Sequence, residues 1–261
     1  MSTESARKPV FVTTVLAAAA VLAASIAGII DSGIYEGLVV EEFLPGTISQ
    51  DIVSALSAAG LLICLVVVRR GSRRAWAVWL GLMAYILYAY GLYSFERIYN
   101  PFFPAYVAAF GLSLFSIILF FWRGDRRGLP SVSHDRRRGI AIFVGIYLFA
   151  LAAVFLAVWT SMIVPAVALR IPPPGNAIFV MDLSFFLPLL VIAAVMLLRS
   201  KPFGDFLAGA LLVMMAALGT SVMLGGLLAP AFGLELDVSM AILFAVLGPG
   251  SAVLAALWLA R

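Results

Sequence analysis

Two aspartates are the residues of this sequence best placed to do chemistry. Asp51 stands near the start of the long apolar run "TISQDIVSALSAAGLLICLVVVRR", and Asp182 near the start of a second, "FVMDLSFFLPLLVIAAVMLLR". A charged carboxylate at mid-bilayer costs roughly 2.5–3.5 kcal/mol on insertion scales, so such groups usually face a cavity or a partner. A place within a turn or two of the interface lowers that cost. The positive end of a helix dipole then stabilises the anion by about 0.3–1 kcal/mol, so helix-end stabilisation is the competing reading for both acids. The other candidate ligand-binding side chains are Gln50, Tyr85, Tyr88, Arg97 and Arg170. Tyr85 and Tyr88 share a helix face and can reach Gln50, Asp51 or a ligand. Each arginine needs open water, a bound anion or an acid such as Asp51, Asp182 or Glu96, and at least one structural ion pair is expected.

What is missing narrows the chemistry further. The single histidine, His134, lies in a polar linker, which leaves no histidine-based metal or haem site inside a bundle. Cys64 is alone, so thiol–disulfide exchange within the chain is out, and the lysines, Lys8 and Lys201, sit at helix ends. Phosphate-binding loops, H-E-x-x-H and G-x-S-x-G are absent. No catalytic set, metal or cofactor is expected, and the reading leans away from an enzyme.

The elements that position these residues are apolar blocks of membrane length. Of 261 residues, 64% are hydrophobic and 11% charged, against roughly 45–50% and 25% in soluble domains. Eight blocks of about 20 residues suit a hydrocarbon core of roughly 30 Å. They run Pro9–Ile30, Ile52–Val68, Ala75–Tyr93, Phe102–Trp122, Ile140–Ser161, Ala177–Leu198, Gly204–Leu228 and Val238–Ala260. The first is read as a retained helix, since it is long for a signal peptide and lacks a clean cleavage pattern. With the N-terminus inside, every lysine and arginine except Arg97 and Arg170 falls on the inner side, and an even number of spans returns the C-terminus there. The net charge of +4 is thus a topology signal and not a nucleic-acid surface.

The spans fall into two sets of four. Pro45–Gly46, Asp51 and Arg69 in the first set correspond to Pro174–Gly175, Asp182 and Arg199 in the second, at a nearly constant offset. This points to tandem duplication, residues 1–130 and 131–261, with both copies entering the membrane in the same direction and related by an axis along its normal. Such an axis can bring both acids to one vestibule. The basic linker "RGDRRGLPSVSHDRRR" joins the copies. Two partly apolar outer loops, "DSGIYEGLVVEEFLPGTISQ" and "MIVPAVALRIPPPGNA", are expected to roof the outer end, with plain connectors as the alternative. Tyr93, Tyr99 and Tyr106 suit an interfacial aromatic belt, Asn100–Pro101 suits a helix start, and Pro188 and Gly248–Gly250 predict kinks.

"QDIVSAL", "RRGSRRAWAVWLGLMAYILYAY", "YNPFFPAYVAAFGLSLFS" and "FVMDLSFFLPLLV" together resemble a family of uncharacterised bacterial multi-pass inner-membrane proteins with tandem four-helix repeats. In that family a Gln-Asp pair opens helix two, an Asn-Pro precedes helix four and an Asp-Leu opens helix six. Gln50–Asp51, Asn100–Pro101 and Asp182–Leu183 stand in those places. The resemblance implies a bacterial inner-membrane location and brings no activity with it.

The expectation is therefore an all-α membrane protein of eight transmembrane helices with both termini cytoplasmic. Its first candidate role is binding or transport of a small solute or cation through an outer-facing vestibule between the repeats. The alternative is a non-catalytic membrane sensor, scaffold or assembly partner, as a homo-oligomer or with another membrane protein, because runs such as "GLMA" and "GGLLA" permit close helix packing in lipid.

Overall fold

The computed structural model describes residues 3–123, 138–236 and 238–260. The linker 124–137 with its His134, together with Asp237 and Arg261, lies outside the described residues. The elements are α1 (Thr3–Ile30), α2 (Leu44–Arg69), α3 (Arg74–Phe95), α4 (Phe103–Arg123), α5 (Arg138–Leu169), α6 (Asn176–Met181), a π-helical turn (Asp182–Phe186), α7 (Leu187–Leu198), α8 (Pro202–Leu228) and α9 (Val238–Leu259). No strand occurs among the described residues. Eight helical segments, with α6, the π turn and α7 counted as one, are long and apolar enough to cross a membrane.

Apolar residues alone cannot decide which helix lies at the centre when lipid is as oily as leucine; close packing at small residues does. A Cβ on Gly81 of α3 would run into the Ala210 carbonyl and Val213 of α8. One on Gly225 of α8 would come 2.8 Å from Gly46 Cα of α2, and one on Gly219 2.7 Å from Gly248 Cα of α9. These contacts make α8 the hub, packed against α2, α3, α7 and α9. Of the most apolar stretch of each helix, 67% is buried in α3 and 61% in α8, against 22% in α5. The helices α1 to α4 close on one another as a ring, which side chains of α3 and α1 also bridge across its middle. By contrast α5 leans on α7 and reaches α9 through the Tyr147–Ser251 hydroxyl pair at 2.9 Å and the Phe155 and Phe244 rings.

Several element boundaries differ from the sequence expectation, and the differences move the acids. Helix α2 starts at Leu44, with Pro45 in its first turn where a missing N–H costs nothing, so Asp51 lies about two turns inside it. Asp182 likewise follows a full turn of α6 and opens the π turn. Neither acid occupies a helix start, so helix-end stabilisation does not explain them. The π turn has a local cause. Pro188 offers no N–H to the Ser184 carbonyl and crowds it, and the chain takes up the misfit just upstream, where the Leu187 N–H bonds to the Asp182 carbonyl. The second expected loop is mostly helix, since α5 continues through Pro165 to Leu169.

Candidate functional site

Asp51 is fully buried and accepts two hydroxyl hydrogen bonds. Tyr35 donates to Oδ2 at 2.6 Å and Tyr93 to Oδ1 at 2.9 Å. Tyr35 comes from a short 3-10 turn, Ser32–Tyr35, in the loop after α1; Asp31 caps this turn by accepting from the Gly33 N–H. The ring is fully buried and stacks on Tyr93, so the loop does roof this end, through one inserted side chain. Burial first, and then the Asp51 carboxylate, pushes the Tyr35 hydroxyl far above the ordinary tyrosine range, so it remains a donor. Helix α1 makes room for the pair at Gly28, where a Cβ would overlap Asp51 Oδ2 and lie 2.5 Å from the Tyr35 hydroxyl.

The surrounding shell is made of further tyrosines and small hydroxyls. Tyr93 also lies 3.1 Å from the Thr47 carbonyl. Tyr90 pairs with Ser25 at 2.8 Å and reaches the Val21 carbonyl, tying α3 to α1. Asn100 donates to Tyr106 and accepts from the Phe102 N–H at 3.0 Å, which orders the turn before α4. Tyr93 and Tyr106 are buried with rings 4.8 Å apart, so the expected aromatic belt reduces to Tyr99, which is exposed and stacked on Phe103.

Asp182 sits in a separate cage. Tyr88 donates to its Oδ1 at 2.8 Å and the Trp159 indole N–H to its Oδ2 at 2.7 Å. Tyr88 is buried, whereas Trp159 on α5 is half-buried. Tyr88 and Tyr93 are five residues apart on α3, which places them about 140° apart around its axis and about 7.5 Å along it. The two acids are therefore reached from different flanks of α3.

The remaining candidates divide. Tyr85 is buried and its hydroxyl lies 3.4 Å from both Ser54 Oγ and the Gln50 carbonyl, while Gln50 donates to the Ala89 carbonyl. Both belong to the α2–α3 contact. Arg97 and Arg170 are exposed, and neither forms an ion pair among the described residues, contrary to expectation. The reason is backbone position. Each is the left-handed residue that ends a helix, with φ of 58° and 56°, and the bonds Ile98 N–H to Tyr93 and Ile171 N–H to Ala166 close the two helix ends. Glu96 instead accepts from the Ala177 N–H at 2.5 Å, linking the end of α3 to α6.

Chemically, each cage is a carboxyl group held by two aromatic donors and faced by no cation among the described residues. No described side-chain nitrogen or oxygen in the interior lacks a hydrogen-bond partner. Two open clefts lie outside the cages, beside Arg170 and beside Arg69. Sequence reading missed Tyr35, Trp159 and Gly28. Tyr35 is the one aromatic in "DSGIYEG", and Gly28 and Trp159 stand 131 positions apart, the spacing of Asp51 and Asp182.

These features define an all-helical protein with the build of a multi-pass membrane protein. Compared with known protein families, with curated proteins and with solved structures, the chain matches none.

Proposed function

We propose that the chain is a bacterial inner-membrane protein of two tandem parallel four-helix repeats, 1–130 and 131–261, acting as a non-catalytic sensor, scaffold or assembly partner. The observation that carries the role is that each acid is enclosed by its own aromatic donors, reached from different flanks of α3, with the interior polar groups satisfied among themselves. A solute path would need polar groups turned toward a shared space. The duplication is supported by the 131-residue spacing of Asp51 with Asp182 and of Gly28 with Trp159. Cytoplasmic termini are supported by Arg97 and Arg170 being the lone basic residues at the end of the bundle taken as outer.

Transport of a proton or small cation is the second reading, favoured by one observation: neither acid faces a cationic side chain among the described residues. Acids without a cationic partner inside a membrane span are a common mark of ion and proton pathways. One experiment separates the two. Proteoliposomes of the purified chain, Asp51→Asn and Asp182→Asn, at matched protein content, are assayed for proton and sodium flux under an imposed gradient. The assembly role expects rates equal to empty vesicles in all three. Saturable flux that either substitution abolishes would establish transport instead.

A further inference from the structure

At the end of the bundle where α5 stops, a cleft of about 480 Å³ opens between the last turns of α5, the proline bend and α6 with its π turn. Its walls are apolar, with Val167, Val180 and Leu183 among them, and Arg170 is the one charged residue of the lining. Val167, Val180 and Ile171 are exposed, so the cleft faces outward from the bundle. Arg170 follows directly on Arg138–Leu169, a helix more than long enough to cross a membrane, so it stands at the end of that span, on the side where basic residues are scarce. It is exposed, has no ion-pair partner among the described residues, and holds a left-handed backbone in which glycine would end the helix at lower cost.

We propose that this cleft seats one anionic phospholipid, its phosphate on Arg170 and an acyl chain along Val167, Val180 and Leu183. A planar guanidinium matches a phosphate through paired N–H donors, and apolar walls beside it at the interface match the chain attached to that phosphate. A free anion would leave the walls wet, and an apolar helix from a partner would leave the guanidinium without an anion. The seat adjoins the second acid cage: Phe179 in the cleft wall lies 5.0 Å from the Trp159 ring, and Leu183 follows Asp182 in the π turn. A second cleft, of about 490 Å³, lies at the opposite end between α1 and α2 with Arg69 as its charged residue. There the guanidinium already rests 5.0 Å over the Phe11 ring, which makes Arg69 the internal control. The inference holds for either role proposed above.

Trp159 reports on the seat. The delipidated full-length protein in detergent is titrated with phosphatidylglycerol or phosphatidylcholine carrying brominated acyl chains, and the Trp159 share of fluorescence is isolated by subtracting Trp159→Phe. Saturable quenching at lower concentration of phosphatidylglycerol is expected. Arg170→Gln should raise its half-saturation about fivefold, the worth of one basic side chain at a charged surface. Arg170→Lys, which keeps the charge but loses the paired N–H donors, should fall between the parent and Arg170→Gln, and Arg69→Gln should leave the curve unchanged. Thermal melts of each variant check that the fold is retained. Equal response to both lipids, no shift in Arg170→Gln, or a dimer that forms without lipid and abolishes the quenching would each overturn the proposal.

Discussion

Asp51 and Asp182 stand at corresponding distances along the two halves of the chain, yet the halves enclose them by opposite means. In the first, α1 to α4 close as a ring, and the acid is reached by a tyrosine dropped in from a loop, with Gly28 standing aside to admit it. In the second, α5 leans chiefly on α7, and Trp159 donates to the acid from that helix itself. One arrangement is a woven network with alternative acceptors; the other is a single cage at the edge of the bundle. A buried carboxyl group can thus be satisfied either by a donor inserted from a loop or by one standing on a neighbouring helix.

The largest expected effect breaks the first arrangement at Gly28. Valine there drives two methyl groups into the Asp51 carboxylate and the Tyr35 hydroxyl, and overpacking plus loss of both contacts should cost about 3 kcal/mol. Thermal unfolding in mild detergent measures it. Gly111→Ala is the matched control, since a Cβ there meets open space. If Gly28→Val melts like Gly111→Ala, the first half is not the tighter one.

A smaller effect sharpens the comparison through the isosteric change of each acid. An amide accepts at one atom and donates at the other, so one of its two partners must turn and accept. In Asp51→Asn the Tyr93 hydroxyl can do so, because its own proton has the Thr47 carbonyl to go to. In Asp182→Asn the indole N–H of Trp159 only donates, so Tyr88 must accept, and no second acceptor for its proton is among its bonds. Orphaning a buried hydroxyl costs roughly 1–3 kcal/mol. Asp182→Asn should therefore destabilise by about 2 kcal/mol and Asp51→Asn by less than about 0.5, measured as the same thermal shifts. Equal shifts would mean that the two cages are equally redundant.

Much of this architecture is legible in the sequence because lipid imposes a length and a charge bias on every span. The eight segments follow from block length, and their ends mostly lie within a few residues of the expected ones. The exceptions are instructive. Polar residues "GTISQD" hid the first two turns of α2, although Thr47 and Ser49 bond to carbonyls and cost a buried helix little. Pro165 and the prolines after it hid the end of α5, although a helix facing lipid can continue past proline. That both acids need polar partners was readable from their charge. Their partners were not, because which face of α3 a tyrosine takes depends on the glycine contacts that set α8 against it, and those are fixed only in three dimensions.

The smallest effect tests the edge cage directly. Trp159→Phe removes one donor from Asp182 while keeping an aromatic ring against Phe155 and Phe179. Hydrogen bonds between membrane helices average about 0.6 kcal/mol and reach about 1.7. Trp159 is half-buried, so its loss should fall near the average; Tyr35→Phe removes a fully buried donor and should approach the upper value. Paired thermal melts of the two variants give the ordering. A larger loss for Trp159→Phe would reverse it and place the better-sealed acid in the open half. In that case α5 would be held to the bundle chiefly by the indole bond to Asp182, and its apolar packing on α7 would be the minor contribution.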